Sequence, residues 1–323
     1  MNQKCTINLV RDKEIKNIQS TFDGVIGQAP VIKKLSFFLQ SHNQNSIFPS
    51  MLFTGSHGLG KTYLATKLAH NLHRDLVMVN CGEIKDKKDF IEKILLMIVA
   101  EGRQTTLFMD ESHRLSKDIE TILLTLINPN ESGINVISYK GFEIEYDMKF
   151  INMIFATTDA YEMFSPLKNR CIPIYFYPYS EETVIEMLQY YLEDIKLCCN
   201  LHDLAYACRG RARDVFLLSQ NIKRYCDLKK VKNLCECDWN EIKDIFDINY
   251  LGLTREEVML LDAIAQHEPI SCANLALKLM VNEKNVKSEL EVRPRELGLI
   301  ENSTMGRILT KEGREYIKKV EKC

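Results

Sequence analysis

The most constraining feature of the sequence is a glycine-rich segment, residues 55–62, which reads Gly-Ser-His-Gly-Leu-Gly-Lys-Thr and fits the pattern GxxxxGK[ST]. It follows a short apolar run of strand length, Met51–Thr54, and precedes a segment of helical period that starts near Tyr63. A strand, this loop and a helix, in that order, are typical of a phosphate-binding loop. The segment therefore predicts an α/β domain that binds a nucleotide.

Two side chains of this loop have specific predicted roles. Lys61 is expected to reach the β and γ oxygens of a nucleoside triphosphate, and the Thr62 hydroxyl is expected to hold Mg²⁺. The glycines allow backbone N–H groups to turn towards the phosphates at the start of a helix. The alternative, a purely structural turn, is disfavoured by the flanking strand and helix. We expect ATP and Mg²⁺ as ligands, with ATP contacts at Gly55, Gly58, Leu59, Gly60, Lys61, Thr62 and Tyr63.

A second site feature is a pair of adjacent carboxylates, Asp110 and Glu111, at the end of the apolar run 107–109. In open α/β sheets, ligands bind at the carboxyl ends of the strands. Asp110 is therefore expected to hold the metal, and Glu111 to orient and polarise the attacking water. An acidic strand end also occurs as a solvated turn, but the upstream phosphate loop favours the functional interpretation.

Short apolar segments alternate with segments of helical period over the first half of the chain. This alternation predicts a parallel sheet with helices on both faces. The predicted strands are residues 51–54, 77–80, 106–109, 152–156 and 174–176.

The pattern changes after residue 178. From residue 180 to about residue 247 only helical periods are evident, which predicts a small helical lid. Thr254 and Glu257 then form a capping box, and Ser271 and Asn282 are positioned to cap two further helices. With a hairpin over residues 299–310, this region has the outline of a winged helix. The predicted divisions are an N-terminal extension (1–20), an ATPase domain (21–178), a helical lid (179–249) and a winged-helix domain (250–323).

The net charge of the chain argues against a protein that binds nucleic acid through a general positive field. The chain has 42 basic and 44 acidic residues, a net charge of −2, whereas domains that hold nucleic acid by a general field are usually strongly basic. Any DNA contact must therefore be local.

The longest apolar run, residues 94–100, is far shorter than the roughly 20 residues that cross a bilayer, so we expect a cytoplasmic protein without membrane contact. The eleven cysteines lack a CxxC pair and are expected to be reduced thiols.

Three further polar side chains are candidates for the same chemistry. The apolar run 154–156 leads into Thr157 and Thr158, where a hydroxyl can contact the γ-phosphate or the water. Arg170 and Arg213 are candidates to meet the charge that develops on the γ-phosphate, either within one subunit or from a neighbour. On spacing alone each arginine is a weak candidate, because most surface arginines have no such role.

On these motifs the sequence resembles the AAA+ ATPases, and within them the RuvB family of Holliday-junction branch-migration motors, from residue 22 to about residue 316. Residues 58–62 and 109–115 are close to the Walker A and Walker B motifs of that family, except that Ser112 replaces an apolar residue. Residues 25–28 match the segment beside the adenine, which implies that Ile26 contacts the base. Residues 251–253, 293–300 and 306–310 follow the spacing of the family's winged helix.

The resemblance assigns roles to single residues. It implies that Thr158 is the sensor 1 residue and that Arg170 is an arginine finger acting on ATP in the next subunit. Arg213, in the segment Arg209-Gly210-x-x-Arg213, would be the sensor 2 arginine of the lid. Arg307 would be the arginine of the wing and would contact a DNA phosphate.

The function implied by the resemblance is a ring ATPase, in the form of a hexamer, that translocates duplex DNA at four-way junctions with a RuvA-type partner. A hairpin within residues 128–148 would contact that partner. Two departures, Asp159 after Thr158 and Cys171 after Arg170, resemble clamp loaders instead. The alternatives are therefore an ATP-dependent loader or replication initiator on DNA, and a regulator that binds proteins without hydrolysing ATP.

Overall fold

The computed structural model describes residues 22–42 and 46–320. These form two compact units. The first contains the described residues up to Tyr179 together with Arg211–Arg213, and the second contains Ser180–Gly210 and the described residues from Asp214 onwards. The predicted extension, residues 1–20, lies outside the described residues. The proposed division between lid and winged helix at residue 250 falls within the second unit and stays a prediction.

The first unit is built on a five-stranded parallel sheet in the order β2-β3-β6-β1-β7. The five predicted strands are all present, so the predicted parallel α/β fold is confirmed. The elements are α1 Ala29–Ser41, β1 Met51–Thr54, α2 Lys61–Asn71, β2 Asp75–Asn80, a 3-10 turn Cys81–Glu83, α3 Lys87–Phe90, a π turn Ile91–Leu95, α4 Leu96–Glu101, β3 Thr105–Asp110, a 3-10 turn Ser112–Arg114, α5 Lys117–Leu126, β4 Ile134–Tyr139, β5 Phe142–Asp147, β6 Ile151–Thr157, α6 Ser165–Lys168 and β7 Ile172–Tyr175.

The sheet is covered on both faces, because apolar side chains of its central strands alternate between two cores. Leu107 and Met109 of β3 lie in one core, and Phe108 of the same strand lies in the other. Parallel strands buried on both faces require such near-continuous apolar runs. The register aligns Thr54 with Thr157 and Asn80 with Asp110, so polar residues meet at the carboxyl edge of the sheet.

The predicted hairpin is formed by β4 and β5, which pair antiparallel with Ile137 opposite Ile144. These two residues and Tyr146 are buried, whereas the alternate residues of both strands face outwards. Because side chains alternate along each strand, one face of the hairpin packs on the rest of the first unit and the other face is exposed.

The second unit begins with the lid elements α7 Glu181–Tyr191, β8 Lys196–Leu197, α8 Leu201–Ala207, α9 Ala212–Lys229, β9 Asn233–Leu234 and α10 Glu236–Ile245. The expectation of a lid without strands is wrong, because β8 and β9 form a two-residue parallel ladder. Segments this short carry no periodic signal in the sequence. The buried Trp239 packs in this unit and donates from Nε1 to Asp203 at 2.8 Å.

The winged-helix region follows after a 3-10 turn, Tyr250–Gly252. Its elements are α11 Arg255–His267, α12 Cys272–Leu279, α13 Glu283–Asn285, a π turn Val286–Leu290, α14 Val292–Glu296, β10 Ile300–Ser303, β11 Gly306–Leu309 and α15 Lys311–Val320.

The predicted start signals of three of these helices are confirmed, since Thr254, Ser271 and Asn282 each accept a backbone N–H at the first turn of a helix. The helix α15 was not predicted. Within residues 22–42 and 46–320, no helix combines the length and the apolar character needed to span a membrane.

Candidate functional site

The phosphate loop is shaped by glycines in backbone conformations that other residues rarely adopt. Gly58 has φ +77° and Gly60 has φ +90°. A Cβ on Gly58 would lie 3.1 Å from the Cβ of Arg213, and a Cβ on Gly60 would lie 3.2 Å from the hydroxyl of Tyr179. Both space and conformation therefore favour glycine at these two positions.

Lys61 begins α2 and its side chain is buried within the loop. Its Nζ donates to the carbonyl oxygens of Gly55 at 2.7 Å and Ser56 at 2.9 Å. Burial lowers the pKa of Lys61, whereas the carboxylates of Asp110 and Glu111 raise it. A phosphate oxygen could replace these neutral carbonyls as acceptor and would add a charge-assisted hydrogen bond.

The two predicted carboxylates lie at the end of β3. Asp110 Oδ1 accepts the backbone N–H of Glu111 at 3.0 Å, and Glu111 has φ +53°. The Glu111 carboxylate lies 3.7 Å from His57 Nδ1 and 3.5 Å from His113 Nε2. Glu111 is thus held between an imidazole of the phosphate loop and an imidazole of the turn that follows it.

His113 connects Glu111 to the end of β6. Its Nδ1 lies 3.0 Å from the Thr157 hydroxyl, which also accepts the backbone N–H of Asp159 at 3.0 Å. If Thr157 donates to Nδ1, the ring proton is on Nε2 and points towards Glu111. Sequence reasoning gave His57 and His113 no role. The signal available was the spacing: His113 follows Glu111 by two residues, one 3-10 turn beyond the strand.

Thr158 is half-buried and directly follows the last residue of β6. The hydrogen bond to His113 is made by Thr157, not by Thr158. The sensor role of Thr158 therefore stays a prediction. Ser112 is buried, and its hydroxyl donates to the carbonyl of Ala156 at 2.9 Å, which explains how a polar residue is accommodated at this apolar position of the family motif.

Arg213 groups with the first unit, beside the phosphate loop. Its backbone N–H donates to the carbonyl of Gly58 at 3.2 Å, and its positive charge contributes to the lowered pKa of Lys61. The structure therefore brings together four residues that the sequence predicted from separate motifs: Lys61, Asp110, Glu111 and Arg213. The contact of Arg213 with the γ-phosphate stays a prediction.

The predicted adenine segment is held at its end by Gln28, whose Nε2 donates to the carbonyl of Tyr177 at 2.8 Å. Ile26 is half-buried and Tyr63 is exposed, and contacts of both with ATP stay predictions. Tyr179 donates from its hydroxyl to the carbonyl of Leu59 at 3.0 Å. These two hydrogen bonds attach residues 177–179 both to the segment before α1 and to the phosphate loop.

Arg170 lies apart from this cluster. It is exposed in the loop between α6 and β7, and its Nη1 donates to the carbonyl of Leu124 at 2.6 Å. The predicted action of Arg170 on ATP in a neighbouring subunit stays a prediction. The adjacent Cys171 is buried, and burial raises the pKa of its thiol to about 12, so this departure from the family pattern is a matter of packing.

Arg307 lies in β11, and its guanidinium already has an acidic partner. Its Nε donates to Glu291 Oε1 at 2.7 Å, and the Glu291 side chain is only 1% exposed. Arg295 pairs with the same carboxylate and also donates to Asn302 Oδ1 at 2.9 Å. The three side chains carry a formal charge of +2 − 1 = +1. The predicted DNA contact of Arg307 therefore competes with an ion pair that joins α14 to the wing.

The predicted metal ligands suit Mg²⁺. Mg²⁺ usually binds one or two protein oxygen ligands together with substrate phosphates and water. Thr62 supplies a hydroxyl from the first turn of α2, and Asp110 supplies a carboxylate from the end of β3. The two elements are close enough for Asp110 to influence the pKa of Lys61, the neighbour of Thr62. Thr62 and Asp110 are therefore the residues that could hold the ion beside a bound nucleotide.

Comparisons with known proteins agree with this geometry. Residues 18–174 match the family model described as the Holliday junction DNA helicase RuvB P-loop domain. The Holliday junction branch migration complex subunit RuvB of Campylobacter jejuni subsp. doylei is 28% identical over 308 residues, which cover 93% of this chain and 90% of the relative. The subunit of the same name from Mycoplasma genitalium is 23% identical over 304 residues, which cover 92% of this chain and 96% of the relative.

A solved structure of a Thermotoga maritima RuvB mutant is similar in fold, with a TM-score of 0.76 and 24% identity over 92% of this chain and 97% of that chain. The family model matches the segment that contains both nucleotide-binding motifs, and the solved structure has the same fold as this chain. Residues 18–174 therefore form a P-loop domain of the RuvB type, and the similarity to RuvB proteins extends over 93% of the chain.

Proposed function

We propose that this chain is an ATP-driven motor that moves duplex DNA and so drives branch migration of four-way junctions. The observation that carries the proposal is the cluster in which Asp110 and Glu111 lie close enough to Lys61 for their charges to oppose the lowering of its pKa by burial, within a unit that matches the RuvB P-loop domain. A pair of acids beside a phosphate-binding lysine is the arrangement that phosphoryl transfer requires.

The roles at the site follow from this arrangement. Lys61 would exchange its carbonyl partners for β- and γ-phosphate oxygens, and Glu111 would orient the attacking water. Bound Mg²⁺, held by Thr62 and Asp110, would neutralise charge on the phosphates. Thr158 and Arg213 would contact the γ-phosphate from the sheet edge and from the start of α9, respectively. Most of the rate gain would come from positioning and electrostatics.

We propose further that the active form is a homo-oligomeric ring, with six subunits as in the family. The supporting feature is the exposure of Arg170, whose side chain contacts Leu124 instead of the phosphate loop of its own subunit. A ring places such a residue against the neighbour's nucleotide. Mixing an Arg170→Ala variant with a Glu111→Gln variant should then restore part of the hydrolysis, since a mixed ring contains sites with both intact groups.

DNA contact is proposed for the winged-helix region. From residue 201 onwards the chain has 21 basic and 20 acidic residues, a difference of +1, so one subunit has no strong positive field. Affinity should come from a ring that repeats a few contacts, Arg307 among them. Tight, salt-insensitive DNA binding by an isolated subunit would contradict this.

A RuvA-type protein is the proposed partner, and the outward face of the β4–β5 hairpin is the proposed contact. Ile134, Val136 and Phe142 are exposed on this hairpin, an arrangement that suits an apolar protein contact. We place the complex in the cytoplasm.

The decisive test is movement of a synthetic four-way junction with labelled arms, with and without a RuvA-type protein. ATP-dependent conversion of the junction into duplex products is expected from the wild-type chain and not from Glu111→Gln. If the chain hydrolyses ATP on DNA but moves no junction in either condition, the motor function is wrong, and an ATP-dependent loader becomes the better explanation.

A further inference from the structure

The strands β8 and β9 bring two exposed thiols of the lid to neighbouring positions. In this parallel ladder Lys196 pairs with Asn233 and Leu197 pairs with Leu234. The N–H of Lys196 donates to the carbonyl of Lys232 at 2.9 Å. Two residues on, the N–H of Cys198 donates to the carbonyl of Leu234, also at 2.9 Å. In both hydrogen bonds the acceptor is the residue that precedes the pairing partner of the donor. The pairing therefore continues for one more residue, and Cys198 lies opposite Cys235.

Both thiols lie on the outward face of the ladder. Side chains alternate along a strand, so Cys198 and Cys235 share a face with Lys196 and Asn233, while Leu234 faces the interior. The burial agrees, since Leu234 is buried and these other four residues are exposed. Neighbouring strands are about 4.8 Å apart, which is within the roughly 4.4–6.8 Å between Cα atoms that a disulfide requires.

We propose that Cys198 and Cys235 form a reversible intrachain disulfide when the protein meets a peroxide. In the first step the Cys198 thiolate attacks one peroxide oxygen, the O–O bond breaks, and a sulfenic acid and hydroxide form. In the second step the Cys235 sulfur attacks the sulfenic sulfur, the S–O bond breaks, and the disulfide and a second hydroxide form. The two thiol protons leave with the hydroxides, so two thiols and one hydrogen peroxide give one disulfide and two waters.

The order of the two steps follows from the surroundings of Cys235. Its thiol donates to Asp238 Oδ2 at 2.8 Å, and this hydrogen bond raises the pKa of the Cys235 thiol. A thiol held in its protonated form is the slower nucleophile towards peroxide. Cys198 is therefore the residue that is oxidised first, and Cys235 is the one that resolves the sulfenic acid.

The other cysteines of the second unit are less suited to this reaction. Cys208, Cys226 and Cys272 are buried, and Cys199, next to Cys198, is also buried, with a thiol pKa that burial raises to about 11. Cys237 is exposed but lies inside α10, beyond the end of the ladder, and is the matched control. The disulfide would close a loop that contains α8 and α9, so the oxidised chain should unfold at a higher temperature.

The test uses the full chain treated with about one molar equivalent of hydrogen peroxide, an amount that favours the most reactive thiol. Free thiols are then alkylated, and the digested protein is analysed by mass spectrometry. We expect a peptide pair linked through Cys198 and Cys235, lost on treatment with dithiothreitol. We also expect the pair to form in Cys237→Ser and to be absent in Cys198→Ser and Cys235→Ser.

A second readout is independent of the variants. The oxidised wild-type chain should show a higher thermal midpoint than the reduced chain, and reduction should reverse the shift. The proposal is overturned if the linked pair involves Cys237, if the disulfides formed join two chains, or if Cys198 is oxidised to sulfinic acid without a linked pair. None of these outcomes depends on ATP hydrolysis or on DNA.

Discussion

The phosphate loop and the wing each contain one cation that the sequence assigned to a phosphate, but the two cations differ in their present partners. Lys61 donates to the neutral carbonyls of Gly55 and Ser56, whereas Arg307 donates to the buried carboxylate of Glu291. Lys61 can exchange a neutral carbonyl acceptor for a phosphate oxygen at little electrostatic cost. If Arg307 moved away, the buried carboxylate of Glu291 would keep only the more exposed Arg295 as a partner, and losing the buried cation is costly. The charge on Lys61 is thus available for a ligand, and that on Arg307 already stabilises the fold.

The largest expected effect is at Lys61. Lys61→Ala should raise the Kd for ATP by roughly a hundredfold or more, because it removes the charge proposed to meet the β- and γ-phosphates. Fluorescent-nucleotide titration measures this. Lys93→Ala is the control, since Lys93 is an exposed lysine paired with Asp89 and has no predicted contact with ATP. Equal Kd values for the two variants would contradict the assignment.

The next effect is on stability, at Glu291. Glu291→Ala should lower the free energy of unfolding by about 2–3 kcal/mol, because Arg307 and Arg295 lose a shared acceptor in a partly buried position. Denaturant unfolding monitored by circular dichroism measures the change, with the exposed Glu301→Ala as the control. A loss below about 0.5 kcal/mol, the range of ordinary surface changes, would mean that the ion pair is not a structural element.

A smaller effect is expected at His113, which positions Glu111. His113→Ala should lower kcat by about tenfold and leave the Kd for ATP unchanged, because Glu111, the carboxylate proposed to orient the water, loses one of its two imidazole neighbours. Thr157→Val should lower kcat in the same direction, and the double variant should add little to His113→Ala, since both act through one hydrogen bond. If the two effects are fully additive, Thr157 and His113 do not act as a unit.

The smallest effect is expected at Arg307. Arg307→Ala should weaken DNA binding a few-fold and reduce the slope of log K against log salt by about one, the signature of a single lost phosphate contact. The measurement is a salt titration of binding by fluorescence anisotropy. An unchanged slope with a lowered stability would show that Arg307 serves the Glu291 ion pair alone.

The parts of the fold that could be predicted are those with long periodic signals or capping residues. The five strands of the first unit were predicted from apolar runs, and the helices after Thr254, Ser271 and Asn282 from their caps. The ladder of β8 and β9 was missed because two residues carry no period. The helix α15 was missed because its polar residues outnumber the two large side chains it buries, Tyr316 and Ile317.

The site was predictable where a motif fixes both residue type and spacing. Lys61 and the Asp110-Glu111 pair follow from such motifs. The contacts of Glu111 with His57 and His113 could not be predicted, because they depend on a left-handed backbone at Glu111 and on the packing of two separate segments. The Arg307 pairing was missed for a similar reason, since Glu291 lies sixteen residues away in sequence.

Glu111 is the residue proposed to orient the attacking water in the ATP-driven motor. The most direct measurement is the steady-state rate of ATP hydrolysis by wild-type chain and by Glu111→Gln, each with saturating four-way junction and Mg²⁺. We predict a loss of roughly a hundredfold or more in Glu111→Gln, with ATP binding retained. Hydrolysis by Glu111→Gln at the wild-type rate would contradict the account.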